Sequence, residues 1–341
     1  MTNQVDYARP RPKRRGRRAV LIIVSVVAVV VVGALVASMW YLNSLGSAYE
    51  DNAQTFEESF PEEEVRPVRA EEDESINILL LGSDDNGGSG ATEELARVPQ
   101  GGRSDTMMLV HVPSDRQSVQ IMSIPRDLWV EVPGHGSHKI NAALSLGGIP
   151  LTVSTIESLF DARIDHVAAV DMLGFTGLVE ALGGVTVYSG YDQAFTTAEG
   201  FTFHPGEQEM NSEEALSFVR HRMSFPDGDL QRVRNQQAFI RAVLDETLDP
   251  GNLSSPGRVQ EMVETFSPHL IVDDTLDAGT AAALRWNVRG AAGNVDMFTV
   301  PTGGSGYSQD GQWIFYQDEQ AMADIADAIA DSTLDEYAAY R

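Results

Sequence analysis

Twenty-three consecutive residues without a charge, Ala19 to Tyr41, constrain this chain more than any other stretch. At about 1.5 Å per residue, a helix of that length crosses a hydrocarbon core of about 30 Å. Trp40 and Tyr41 stand at its far end, where aromatic rings favour the bilayer interface. Before it lie seven basic residues (Arg9, Arg11, Lys13, Arg14, Arg15, Arg17 and Arg18) and one acid, Asp6. That asymmetry places residues 1–18 in the cytoplasm and everything after Tyr41 outside. A cleaved signal peptide would have a shorter apolar region, about 7–15 residues, and a small-x-small exit. Leu35-Val36-Ala37 is a poor cleavage site, so the expectation is an uncleaved, single-pass anchor over 19–41.

The charge changes sign beyond the anchor. The whole chain has a formal net charge of −26, and the part after Tyr41 carries 17 basic and 49 acidic residues, a balance of −32. A domain this acidic has no general positive field for nucleic acid, so no nucleic-acid partner is expected. Any anionic ligand must be held by a local arginine cluster. Cysteine is absent, which excludes disulfides, thiol catalysis and cysteine metal sites. The seven histidines show no zinc-type spacing.

Residues 42–75 are polar and acid-rich, with Glu62-Glu63-Glu64 and Glu71-Glu72-Asp73-Glu74, and read as a solvated linker. Ordered structure is expected from Ile76. Apolar runs at 76–81, 106–112, 118–124, 128–132, 166–170, 185–188, 295–300 and 313–316 read as strands. Segments 139–146, 150–160, 174–182, 212–221, 230–248, 256–266 and 275–289 read as helices, with a last one near Asp318. Gly303-Gly304-Ser305-Gly306 reads as a turn. The alternation predicts an α/β domain with one mixed sheet covered by helices, over 76–341.

Charged residues gather where strands end. Leu81-Gly82-Ser83-Asp84 leaves the first strand, Arg103-Ser104-Asp105-Thr106 enters the second, and Ile124-Pro125-Arg126-Asp127 leaves the third. Sites in open α/β sheets collect at such ends, although a single Arg beside an Asp is more often a salt bridge. A second cluster joins two helices: Arg220-His221-Arg222, then Asp229, Arg232, Arg234 and Gln236. Arg232 and Gln236 share a helix face. A helix start favours anions, and the arginine fork matches phosphate oxygens. The competing reading is a salt-bridged junction with Asp227 and Asp229.

These motifs, together with Lys139-Ile140-Asn141-Ala142-Ala143 and Leu182-Gly183-Gly184-Val185, occur in one order over roughly 76–249. In that register the chain resembles the LytR-CpsA-Psr family of cell-wall glycopolymer ligases. The resemblance implies an α-β-α sandwich around a mixed central sheet, completed by 250–341. It also implies transfer of a glycopolymer from a polyprenyl diphosphate carrier to peptidoglycan through a phosphodiester. By motif match, Asp84 and Asp105 would hold a divalent metal, Mg²⁺. Arg103, Arg126, Arg220, Arg222, Arg232 and Gln236 would grip the diphosphate, with Lys139 near the same pocket. Two carboxylates beside a diphosphate suit Mg²⁺. Asp105 or Asp229 could accept the proton of the attacking hydroxyl. Many relatives carry arginine where this chain has Asn235, and neighbouring Arg234 points about 100° away around the helix.

The lipid needs an apolar tunnel, for which Val153, Ile156 and Leu159 on one helix and Phe239, Ile240, Val243 and Leu244 on another are candidate walls. Their spacing is equally that of a core face. The same pocket would also serve a diphosphate hydrolase, or a non-catalytic protein that binds the carrier or regulates.

Overall fold

The computed structural model describes Tyr41 and residues 43–82, 106–170, 172–221, 228–249, 251, 255–288, 290–291 and 293–340. The chain divides into two units, 1–47 and 48–341. In the first, residues 41 and 43–47 are helical, and the expected anchor over 19–41 lies almost wholly outside the described residues. Everything that follows concerns the second unit.

Its strands in chain order begin with β1 (Gln54–Thr55), β2 (Ile76–Gly82), β3 (Thr106–Val112), β4 (Val119–Ile124), β5 (Leu128–Val132) and β6 (Gly136–Lys139). Helix α1 (Ala142–Phe160), β7 (His166–Val170), α2 (Met172–Leu182) and β8 (Val185–Ser189) come next. Short strands β9 (Phe195–Thr196), β10 (Thr202–Phe203) and β11 (Gly206–Met210) lead to helices α3 (Ser212–Arg220), α4 (Gly228–Leu248) and α5 (Pro256–Phe266). The rest is β12 (Leu270–Val272), α6 (Ala278–Val288), β13 (Val295–Thr299), β14 (Thr302–Tyr307), β15 (Trp313–Gln317), α7 (Glu319–Ala330) and α8 (Leu334–Ala339).

The central sheet is mixed, in the order β1-β12-β7-β2-β3-β4-β13. β2 runs parallel to β7 and antiparallel to β3, and β13 runs parallel to β4. Side chains alternate across a strand, and here both faces are covered. Leu79 and Leu81 join the large core with residues of α1 and α7, whereas Leu80 packs with Val272, Leu276 and Leu284 on the other face. This two-sided burial is why β2 reads as a continuous apolar run.

Three expectations need correction. First, the chain does not form one sheet. β5 and β15, the latter expected to close the central sheet, belong to a separate four-stranded sheet, β14-β15-β5-β6. Second, the glycine run 303–306 is not a turn but lies inside β14, paired antiparallel with β15 around a register shift. Small residues suit it because Tyr316 occupies the space a Cβ on Gly306 would need, its hydroxyl 2.5 Å from that position. Third, residues 42–75 are not a free spacer from Ala48 onward. β1 pairs with β12, and Phe56 is buried. Arg66 binds Glu157 at 2.7 Å and Arg69 binds Asp165 at 2.8 Å. The glutamates that gave the segment its acidic look lie outward, while its arginines reach carboxylates of the domain.

The helix expected over 139–146 starts at Ala142, because Lys139 ends the hairpin strand β6. It is continuous with the next helix except for non-helical Gly147 and Gly148. Among the described residues, α1 is the one helix long and apolar enough to cross a bilayer, yet Ile149, Val153, Ile156 and Phe160 are interior core residues.

Candidate functional site at the carboxyl end of the sheet

β4 ends at Ile124, and the chain turns through Pro125-Arg126-Asp127 into β5. The turn is held on every side. Leu128 N–H donates to the Pro125 carbonyl at 3.0 Å, Asn141 N–H to that of Arg126 at 3.3 Å, and Phe315 N–H to that of Asp127 at 2.9 Å. Arg126 is therefore presented from a fixed backbone, its side chain about one-fifth exposed. Asp127 is buried and accepts from the Lys139 ammonium at 2.7 Å, with Arg126 Nε at 3.6 Å. The Lys139 ammonium, expected on the diphosphate, is thus engaged by the carboxylate beside Arg126.

The second arginine group arrives on helices. α3 begins with a full capping box: Asn211 accepts from the N–H groups of Glu213 and Glu214, and Glu214 accepts from the Asn211 N–H. This fixes the helix whose last residue is Arg220. Arg232, in the second turn of α4, is 5% exposed, and Gln236 lies one turn on, half-buried. α4 is docked by Gln237, whose amide donates to Ser123 Oγ at 2.9 Å and Thr299 Oγ1 at 3.2 Å. Ser123 and Thr299 are register partners at the ends of β4 and β13, three residues before Arg126. α4, which carries Arg232 and Gln236, is thus docked at the sheet end from which the chain leads to Arg126.

Asn235 explains how the two helices meet. It is 2% exposed, and its amide donates at 2.9 Å to the Phe218 carbonyl, which also accepts from the His221 N–H at 3.3 Å at the end of α3. Its oxygen accepts from Tyr191 and from Gln231. Burial, the largest influence, pushes the Tyr191 hydroxyl well above its ordinary pKa and keeps it a donor. Arg234 is exposed and bonded to Gln231, facing away from this junction. The junction residue that differs from many relatives is therefore a neutral lock between α3 and α4. Sequence reasoning missed that role, and also the role of Asp127.

His221 caps α3 and stacks on Phe195, with centroids 4.6 Å apart. Burial lowers its pKa, against the opposing pull of Glu199. Asp84, Arg103, Asp105 and Arg222 lie outside the described residues, as does the side chain of Asp229. Their described sequence neighbours Gly82 and Thr106 are register partners at the same sheet end as Arg126. Among the described residues no group of three or more His, Asp or Glu could hold a metal ion.

The Gly183-Gly184 motif serves structure. Gly183 has φ +81° after α2, and a Cβ on Gly184 (φ +108°) would meet the Met210 carbonyl at 3.2 Å. The cleft beside it is walled by Glu180, Glu209, Glu214 and Glu246, the wrong sign for a diphosphate. The two sets of tunnel candidates fall into different cores: Val153 and Ile156 under the central sheet, Phe239 with Phe218 and Val187.

Fold and site define an α/β protein with arginines at the carboxyl end of its mixed sheet. The LytR_cpsA_psr family profile matches residues 39–331, and the chain belongs to that family. It is 31% identical over 267 residues to the polyisoprenyl-teichoic acid–peptidoglycan teichoic acid transferase TagU of Oceanobacillus iheyensis, covering 76% of this chain and 77% of the relative. To the transferase of the same name from Bacillus mycoides it is 28% identical over 310 residues, 90% of this chain and 95% of the relative. Among solved structures it resembles TagV of B. subtilis, with TM-score 0.62 and 25% identity over 76% of this chain and 97% of that one.

Proposed function

We propose that this protein is a membrane-anchored phosphotransferase that moves a glycopolymer from a polyprenyl diphosphate carrier onto peptidoglycan. The reading rests on the docking of α4, which carries Arg232 and Gln236, beside the strand end that leads to Arg126, and on its junction with α3, which ends in Arg220, within a domain of strongly acidic balance. Arginines so placed suit a ligand with about two negative charges. Phosphoryl transfer is catalysed mainly by positioning and charge stabilisation, and arginines on a braced backbone provide both. Family membership supports the same reaction class.

The acceptor hydroxyl oxygen bonds to the glycan-bearing phosphorus, and the phosphorus–oxygen bond to the polyprenyl phosphate breaks. Asp105 or Asp229 accepts the hydroxyl proton. Arg103, Arg126, Arg220, Arg222 and Arg232 hold the non-bridging oxygens, with Gln236 donating, and Lys139 fixes Asp127 beside Arg126. Asp84 and Asp105 have the donor chemistry for Mg²⁺, which binds through one or two carboxylates plus phosphate oxygens. When bound, such an ion neutralises charge on the diphosphate. Residues 19–41 anchor the chain, with 1–18 in the cytoplasm and the domain outside, next to carrier and wall.

The test uses full-length protein in detergent with a polyprenyl-diphosphate glycan, peptidoglycan fragments and Mg²⁺. Acceptor-dependent transfer, lost in Arg126→Ala and Asp105→Ala, is the expected result. Cleavage that ignores the acceptor would make it a hydrolase, and tight carrier binding without turnover would make it a binding protein. A soluble version should begin near Ala48, because β1 belongs to the sheet.

A further inference from the structure

The outer face of the small sheet has no part in the chemistry above. Alternation along β5 sends Leu128, Val130 and Val132 into the core and turns Trp129 and Glu131 outward. Tyr316 of β15 is the register partner of Trp129, and Lys139 of β6 is its partner on the other side. Directly opposed residues share a face, so one row runs Tyr316, Trp129, Lys139 across three strands. Tyr316 is 43% exposed and lies over Gly306 of the edge strand, where any side chain would displace it. The row ends at the Lys139 ammonium, bound to the Asp127 carboxylate beside Arg126. Trp129 follows Arg126 by three residues, across the turn closed by the Leu128 N–H to Pro125 carbonyl bond.

We propose that Trp129 and Tyr316 form the platform on which a sugar of the peptidoglycan acceptor strand rests while its hydroxyl reaches the site. This rests on the transferase reading. The C–H face of a pyranose is apolar and its rim polar. Exposed Tyr316 and half-buried Trp129 match the first, and Glu131, Ser137 and Lys139 on the neighbouring positions match the second. Large aromatic side chains carry much of the energy at such surfaces. The occupant is the acceptor because peptidoglycan is a cross-linked mesh that needs an open, shallow surface, and this sheet face is continuous with the Arg126 turn.

The test measures binding of uncross-linked N-acetylglucosamine–N-acetylmuramic acid oligomers to the full-length protein in detergent by calorimetry. Binding of a polyprenyl diphosphate glycan is followed in parallel. Trp129→Ala and Tyr316→Ala should each weaken oligomer binding on the order of tenfold and leave carrier binding unchanged. Trp129→Phe should retain most of the affinity, which separates loss of the platform from misfolding. Unchanged oligomer affinity in both alanine variants would overturn the proposal, as would weakened carrier binding with acceptor binding intact. A wild-type protein that binds the carrier but no oligomer would overturn it and leave the diphosphate site standing. Binding of neither would overturn the transferase reading as well.

Discussion

The two ends of the central sheet both collect arginines, and they use them differently. At the amino end of β2, three arginines each have a carboxylate from a distant part of the chain. Arg66 pairs with Glu157, Arg69 with Asp165 and Arg163 with Glu63. Arg66 also donates to the Ile164 carbonyl and lies 4.6 Å from the centre of the Phe60 ring. These pairs fasten residues 54–75 to the domain. At the carboxyl end, Arg126, Arg220 and Arg232 come from three elements set in place by backbone hydrogen bonds, a capping box and neutral amides. The amino-end arginines are struts that tie distant segments together through ion pairs, whereas the elements that carry Arg126, Arg220 and Arg232 are themselves secured by backbone hydrogen bonds and neutral amides.

The largest effect should come from cutting a strut. In Arg66→Ala the Glu157 carboxylate, 1% exposed, would lose its cation, and breaking a buried pair costs about 3–5 kcal/mol. Urea unfolding should show that loss. Transfer activity per folded molecule should be unchanged, and a selective fall in activity would erase the distinction between the two ends. Arg126→Ala should do the reverse. Removing one group that stabilises a transferring phosphoryl lowers turnover by about 10²–10³-fold, with little change in urea midpoint. If it unfolds the domain as readily as Arg66→Ala, the carboxyl-end arginines are struts too.

His111 sharpens the contrast through pH. It is fully buried at the amino end, its Nδ1 2.8 Å from the Asn77 amide oxygen, and burial lowers its pKa from 6.5 to about 4. Between those values the unfolded chain holds a proton that the folded chain lacks, so stability falls as pH drops from 6.5 towards 4. The loss is roughly 3 kcal/mol at about 1.4 kcal/mol per unit. Urea curves of wild type and His111→Gln at pH 7 and pH 4.5 should differ by a gap that closes at the lower pH. Asn235→Ala should cost about 1–3 kcal/mol by removing the amide's hydrogen bonds with the Phe218 carbonyl, Tyr191 and Gln231, and should lower transfer by loosening α3 against α4. Smallest of all, exposed Arg234→Ala should stay within about 0.5 kcal/mol of wild type and keep its activity. A large activity loss there would mean that Arg234 compensates for Asn235 after all.

Residues 106–112, 128–132 and 166–170 read as strands from their sequence because apolar composition and turn residues bound them, and the structure gives the same limits. The Asn211 cap was equally legible, since S/T/N-x-x-E before an apolar run acts locally. Local physics also marked Arg220 and Arg232 as a group at a helix junction, while only the family resemblance joined Arg126 to them. Long-range pairing was invisible: nothing in the acid-rich stretch 42–75 announces that Arg66 meets Glu157, ninety-one residues away. The division into two sheets and the placing of glycines 303–306 inside a strand depend on partners from other parts of the chain. So does the neutral lock at Asn235. Sequence by itself determined most of the long strands and helices, the sign of each region's charge and the family, because those follow from neighbours along the chain. Only the tertiary structure decided which arginines fasten residues 54–75 to the domain, because that depends on which carboxylates and carbonyls the fold brings within hydrogen-bonding distance.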